Sequence, residues 1–216
     1  MPDEASEKDK SFEITLSKLL LRKDDIDICF TVTLLSAHFR STSISLVGLQ
    51  VWRGALILAD YLLAHYAELD MANARVIELA AGTGITSIVS AALGAKSVLC
   101  TGACYGNLTW FHIITTFRAD VNRGQILDTI HHNFETNGKI CAKSNVKVEE
   151  IDFFRIDRWR QKLGQEIAES NLILAADVVY DQELTSRFFD ALTAILEDNR
   201  SDARVLIGRF ILLKSE

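Results

Sequence analysis

The stretch Val76-Ile77-Glu78-Leu79-Ala80-Ala81-Gly82-Thr83-Gly84-Ile85 limits the folds open to this chain more than any other. The apolar run Arg75 to Leu79 reads as a buried strand with Glu78 near its end. Gly82 and Gly84 follow, and then Ile85, Ile88, Val89 and Ala92 recur at helical spacing up to Gly94, a natural helix stop. Strand, tight glycine turn and helix bring main-chain N–H groups and a positive helix end to one point, which suits a nucleotide-like ligand. Many such turns only pack a helix on a sheet. This one misses the dinucleotide fingerprint, because Ser87 stands where the third small residue belongs.

The rest of the chain repeats the same alternation. Trp52 opens a helical pattern whose face is Trp52, Ala55, Leu56, Ala59, Leu62, Leu63 and Tyr66, so spacing alone makes Trp52 a core residue. Ser97 to Thr101 is a second buried strand, and Ile126, Leu127, Ile130 and Phe134 mark a helix ending at Asn137-Gly138. Val146 to Ile151 is a third strand, followed by a charged helix near Asp157 to Ala168. Asn171 to Ala176 is a fourth, running into Asp177-Val178-Val179-Tyr180. Asp181 can cap a helix with the face Leu184, Phe188, Leu192 and Ile195, and Ala203 to Leu213 is a fifth strand.

Upstream, Phe12 to Leu49 is β-rich, with Ile28 to Leu34 the clearest strand and Asp24-Asp25 a turn before it, while residues 1–10 read as a disordered tail. The pattern predicts an α/β protein of Rossmann-like type, a mostly parallel central sheet flanked by helices. Ligand chemistry then belongs at the C-terminal ends of the strands, where Glu78, the Thr101 region, Phe153 and Asp177 all fall.

Composition narrows the class. At 216 residues with Pro2 the single proline and no internal repeat, one domain spanning 1–216 is expected. A hydrophobic content of 49% describes a globular chain, and a net charge of −6 argues against a general binder of nucleic acid or anionic membrane. The longest apolar stretch, Leu46 to Tyr66, is interrupted by Arg53 and Asp60, and Met1 to Lys10 is not a secretory signal, so an intracellular protein is expected. Cys29, Cys100, Cys104 and Cys141 form no C-x-x-C pair; Cys100, Cys104 and His112 have no second ligand pair beside them, and buried free thiols are the better reading than a metal site.

Three segments together resemble one family. Val47-Gly48-Leu49-Gln50-Val51-Trp52-Arg53-Gly54-Ala55 precedes the glycine turn by one helix, and Glu78-Leu79-Ala80-Ala81-Gly82-Thr83-Gly84 is similar to motif I of S-adenosylmethionine-dependent methyltransferases. Ala175-Ala176-Asp177-Val178-Val179-Tyr180 supplies a D-x-x-Y signature. The chain thereby resembles the seven-strand protein-lysine methyltransferases of the methyltransferase-like group over roughly residues 28 to 210. The resemblance implies S-adenosyl-L-methionine as cofactor and a lysine side chain of a protein as methyl acceptor. It puts Trp52 beside the cofactor, Ala80, Ala81 and Gly82 under its methionine part with Glu78 and Gly84 in the same motif, and Phe153 and Ala176 along the adenine pocket. Asp177 and Tyr180 become the catalytic candidates, bordering the lysine channel. A helix cap for Asp177 and a packed core ring for Tyr180 are the structural alternatives. Relatives imply a nuclear or cytoplasmic location and, as one candidate substrate, a nuclear nucleic-acid-associated protein, with no direct nucleic-acid or membrane contact.

Three departures from the family pattern accompany the match. Ala80 stands where glycine is usual, and a Cβ there costs ~1 kcal/mol if φ is positive. Thr101 is followed by Gly102, so the ribose-binding acid expected after the second strand is missing. Excising Gly102–Ala119 would join Thr101 to Asp120 and restore it, which makes 102–119 an insertion, read as an unremoved intron with a surface loop as the alternative, and Asp120 a cofactor-binding candidate. The last strands of the usual seven are expected to be missing, leaving the fifth strand at an edge. Against the enzyme stand a catalytically impaired binding module with this fold, or an incomplete isoform, and a small-molecule methyltransferase.

Overall fold

The computed structural model describes residues 10–17, 29–36, 44–102 and 125–210. The turn at 24–25, residues 103–119 of the proposed insertion and Asp120 lie outside them, as do residues 1–9 of the expected tail; Lys10 already belongs to a strand.

In chain order the elements are β1 (Lys10–Ser17), β2 (Cys29–Ser36), a 3-10 turn (Ile44–Leu49), α1 (Arg53–His65), a 3-10 turn (Met71–Asn73), β3 (Arg75–Leu79), α2 (Ile85–Ala92), β4 (Ser97–Gly102) and α3 (Gln125–Thr136). They continue as α4 (Gly138–Cys141), β5 (Asn145–Glu150), α5 (Ile156–Lys162), α6 (Gly164–Glu169), β6 (Leu172–Ala176), α7 (Gln182–Asp198) and β7 (Arg204–Gly208). The charged helix expected near Asp157 to Ala168 is thus two short ones, and the fifth strand of the sequence reading stops at Gly208 among the described residues.

Strands β3 to β7 form one parallel sheet in the order β5-β4-β3-β6-β7. That is the doubly wound arrangement: from β3 the chain steps outward through β4 to β5, then returns to the other side of β3 with β6. The switch point therefore lies between β3 and β6. Alternation along each strand feeds two cores, as a pleated sheet covered on both faces requires. Val76, Leu172 and Leu174 pack with Leu58 and Leu62 of α1 and Ile85 and Ile88 of α2. Ile77, Leu79, Ile173 and Ala175 pack with Trp159 of α5, Ile167 of α6 and Phe188 and Ile195 of α7.

Strands β1 and β2 pair antiparallel outside this sheet. Val32 and Leu34 bury completely against the α1–α2 core, so their neighbours Thr33 and Leu35 fall on the alternate positions of β2. Two buried asparagines of α3 and its end serve in place of a further strand. Asn137 accepts from Thr33 N (3.0 Å) and donates to Thr33 O (2.7 Å). Asn133 accepts from Leu35 N (2.6 Å) and donates to Leu35 O (3.3 Å) and to Thr83 O of the glycine turn (2.8 Å). An amide side chain offers a donor and an acceptor side by side, the pattern a strand edge presents.

Replacing Asn133 by Ala orphans the buried Thr83 carbonyl and both groups of Leu35, each worth about 1–3 kcal/mol if it finds no substitute. Asn133→Ala should lower the urea midpoint clearly, and Asn133→Asp, which keeps the acceptor but removes both donor bonds, should lower it at least as far. Equal midpoints for wild type and Asn133→Ala would show that β2 is not held this way.

Candidate active site

A cavity of 740 Å³ opens at the switch point, above the C-terminal ends of β3, β6 and β7. Ala80 and Gly82 form the edge given by β3, and Ala176, Asp177, Val178, Val179 and Tyr180 that given by β6. Val47, Gly48, Gln50 and Val51 enter from the 3-10 turn and the residues after it, Trp52 and Arg53 from the start of α1, and Ile126 from α3. Phe153 after β5, Leu184 of α7, and Arg209 and Phe210 after β7 complete it.

Backbone conformation makes the opening. Ala80 has φ 54° and Asp177 φ 50°, so both neighbouring strands leave the sheet through the left-handed region. A Cβ is tolerated there at about 1–2 kcal/mol, and Asp is one of the side chains that eases it by local hydrogen bonding. Gly82 (φ 59°) and Gly84 (φ 80°) continue the turn, and a Cβ on Gly82 would sit 3.2 Å from Gly48 O. The condition attached to Ala80 in the sequence, a positive φ, is therefore met.

Trp52 illustrates where spacing misleads. It is the residue before α1, extended at φ −91°, ψ 153°, and is 42% exposed on the cavity wall. Its Nε1 donates to Val47 O at 2.8 Å. Trp52 precedes the first helical turn; within α1, Leu58 joins Ala55, Ala59, Leu62 and Leu63 on the buried face, whereas Leu56 and Tyr66 are only half-buried. Trp52 is no core anchor.

Asp177 does not cap α7. Asp181 does, accepting from Leu184 N at 2.9 Å. Asp177 instead accepts from Gly54 N, the second residue of α1, at 2.5 Å and from Phe210 N at 3.1 Å. Tyr180 is 51% exposed at the mouth, which excludes the packed core ring.

Glu78, Ala81 and Gly84 lie outside the cavity lining. The Glu78 carboxyl is buried on the α2 side of the sheet and receives Thr86 Oγ1, Ser87 Oγ and Ser87 N, the last at 2.8 Å. It thereby caps α2, whose own N-cap, Gly84, has no side chain to do so. Ser87, the residue that breaks the dinucleotide fingerprint, is the one that holds it. Burial outweighs these hydrogen bonds and pushes the Glu78 pKa up to about 8. Cys100 and Cys141 are buried, and burial raises both thiols, Cys141 to about 11, so neither is a reactive thiolate. At the end of β4 a Cβ on Gly102 would lie 2.9 Å from Leu127 and 3.3 Å from Ile126. A side chain at that position would have to displace the Leu127 methyl group.

A family model described as lysine methyltransferase matches residues 38–209, most of the chain and every residue lining this cavity except Phe210. The chain belongs to that family. Methyltransferase-like protein 22 of Homo sapiens is 31% identical over 170 residues, 73% of this chain and 37% of the relative. Its Mus musculus counterpart is 33% identical over 172 residues, 74% and 38% of the two chains. The protein-lysine methyltransferase METTL21E of Mus musculus is 31% identical over 137 residues, 62% and 45%. The chain thus spans less than two-fifths of the length of the first two relatives.

Of the residues singled out in the sequence, this member of the lysine methyltransferase family brings Trp52, Ala80, Gly82, Phe153, Ala176, Asp177 and Tyr180 to one cavity. Asp120 is outside the described residues. Arg53, Ile126, Arg209 and Phe210 also line it. Arg53 was legible only as part of the Val47–Ala55 wording, and the others depend on chain segments meeting in space.

The Glu78 shift has a measurable sign. Native Glu78 keeps its proton to about pH 8, whereas an unfolded glutamate releases it near 4.5. Its contribution to stability is therefore full below about 4.5 and is lost as pH rises through 8. Glu78→Gln, which imitates the protonated carboxyl, should melt close to wild type at pH 5 and several degrees above it at pH 9. A difference that stays constant or runs the other way would show that burial is not the dominant influence.

Proposed function

We propose that this chain transfers a methyl group from S-adenosyl-L-methionine to a lysine side chain of a protein substrate, in the nucleus or cytoplasm. The observation that carries the reading is the single cavity at the switch point, which joins the glycine turn and two aromatic walls to the D-x-x-Y residues. Protein substrates follow from the family, and a nuclear nucleic-acid-associated protein is the more specific candidate that the resemblance favours.

The residues fit the cofactor. Trp52 and Phe153 offer aromatic surface for a heterocycle and a cation, and the Ala80–Gly82 turn offers main chain with little side-chain bulk. When bound, S-adenosyl-L-methionine supplies a methyl group on a sulfonium sulfur. Lysine has to reach it as the free amine, since an ammonium has no lone pair. Asp177 places a carboxylate at the cavity that can accept a hydrogen bond from the amine, since each of its oxygens keeps a lone-pair direction beyond its main-chain bond. Tyr180, at the mouth, is placed to hydrogen-bond the amine and to narrow the channel against water. Holding amine, methyl and sulfur in line is what such a site contributes most.

A second reading, a binding module with impaired cofactor affinity, is favoured by one observation: the Ala80 Cβ stands at the cavity edge on left-handed backbone. Calorimetric titration with S-adenosyl-L-methionine separates the two. Wild type should bind, and Trp52→Ala should weaken binding by roughly tenfold, the loss of one stacked aromatic wall of about 1–2 kcal/mol, with little change in melting temperature because Trp52 packs in no core. A wild-type chain that gives no heat of binding at millimolar cofactor would overturn the enzymatic reading.

A further inference from the structure

We infer that Asp177 is a positioning residue: its carboxylate clasps the start of α1 to the segment after β7, and this clasp sets the cavity wall that carries Trp52, Arg53 and Phe210. The sequence alone offers Asp177 as a group for the amine, and on that view its loss spares cofactor affinity. The geometry assigns it a second task.

Several contacts meet at one point. Asp177 Oδ2 accepts from Gly54 N at 2.5 Å and Oδ1 from Phe210 N at 3.1 Å, so one carboxylate bridges two chain segments 156 residues apart (210 − 54). Asp177 N donates to Gly208 O at 2.7 Å, which fixes the residue in its left-handed conformation. Arg53 stacks its guanidinium over the Phe210 ring, 4.8 Å from the centroid, and ties the same two segments by their side chains. Gly208 approaches α1 so closely that a Cβ on it would lie 2.6 Å from Gly54 O.

Space at Gly54 shows that the clasp is built in. A Cβ there would lie 2.5 Å from both Cγ and Oδ2 of Asp177 and 2.7 Å from Oδ1. Only a residue without a side chain leaves room for the carboxylate. Helix α1 also has no cap of its own, since the Trp52 side chain makes no capping bond. Asp177 supplies the missing acceptor from another strand, at the end of a 13-residue helix where a negative group is favoured. Without it, α1 keeps its core face but loses what orients its first turn, and Trp52 with it.

The test is a double-mutant cycle on the full chain with Gly54→Ala, Asp177→Ala and both together, read by melting temperature and by calorimetric cofactor affinity. Each single variant should melt several degrees lower and bind S-adenosyl-L-methionine roughly tenfold more weakly. The double variant should be no worse than Asp177→Ala, because the atoms that the new Cβ would meet are gone. Asp177→Asn, which keeps one acceptor and turns the other into a donor, should fall between wild type and Asp177→Ala. Ile195→Ala, buried in α7 away from the cavity, serves as the control that lowers the melting temperature with cofactor affinity unchanged. Additive losses in melting temperature would overturn the clasp. Asp177→Ala with wild-type cofactor affinity would overturn its positioning role. The affinity arm rests on the functional reading above; if wild type bound no cofactor, that reading would fall, and the melting cycle would still decide the clasp.

Discussion

Two adjacent parallel strands leave the sheet through left-handed backbone, at Ala80 after β3 and at Asp177 after β6, and the cavity exists because they do. Neither residue is glycine, so each conformation is maintained against a local cost. At the first, Ala81 N donates to Thr101 O at 2.8 Å and Gly84 N to Ala81 O at 2.9 Å, so the turn is bonded to β4 and to itself. At the second, the main chain and carboxylate of Asp177 are bonded to three residues of two other segments. With both turns bent out of the sheet, α1 and α7 leave a space that neither core cluster fills.

The helices beside that space are capped from a distance. Helix α2 starts after Gly84 and α1 after Trp52, and neither residue supplies a side-chain cap. One position is reserved for a turn that needs glycine and the other for a ring on the cavity wall. Carboxyl groups at the ends of two strands, Glu78 of β3 and Asp177 just after β6, take over. Helix α7 starts after Asp181, which caps it with its own side chain. The same substitution of a side chain for a backbone partner holds β2, where Asn133 and Asn137 stand in for a strand and Asn133 also reaches the glycine turn through Thr83 O. Buried polar groups in this protein are thus concentrated where main chain meets no regular partner, as the cost of leaving such groups unpaired requires.

What was legible in the sequence follows from how local its cause is. The alternation of strands and helices, the Asp181 cap and the face Leu184, Phe188, Leu192 and Ile195 depend on neighbours along the chain, and they could be read. The D-x-x-Y residues could be placed at a strand end for the same reason. Trp52 was misassigned by spacing because a shift of one residue in a helix start moves a side chain from the core to the rim. The roles of Gly54, Gly208, Asn133 and Phe210 were invisible, since each is defined by an atom more than 30 residues away in the chain. Glu78 was legible as an acid at a strand end, but which side of the sheet it faces depends on pleat register, and register sends it to α2.

The described residues around the cavity divide by polarity. Leu127 and Ile126 of α3 pack over Gly102 at the end of β4, 2.9 and 3.3 Å from where a Cβ would stand. Among the described residues, the side formed by β3, α3 and the residues after β5 is apolar, with Ala80, Gly82, Ile126 and Phe153. The opposite side, built from the start of α1 and the segments after β6 and β7, carries Arg53, Asp177, Tyr180 and Arg209. A ligand with a flat apolar end and a charged end is sorted by such a cavity without a specific partner for every polar atom, because reversing it would leave the charge against apolar side chains. The clasp at Asp177 holds the polar half together, and the closed end of β4 holds the apolar half. The discrimination between the two ends of a ligand therefore rests on packing at Gly54 and Gly102, two glycines that would touch nothing bound in the cavity.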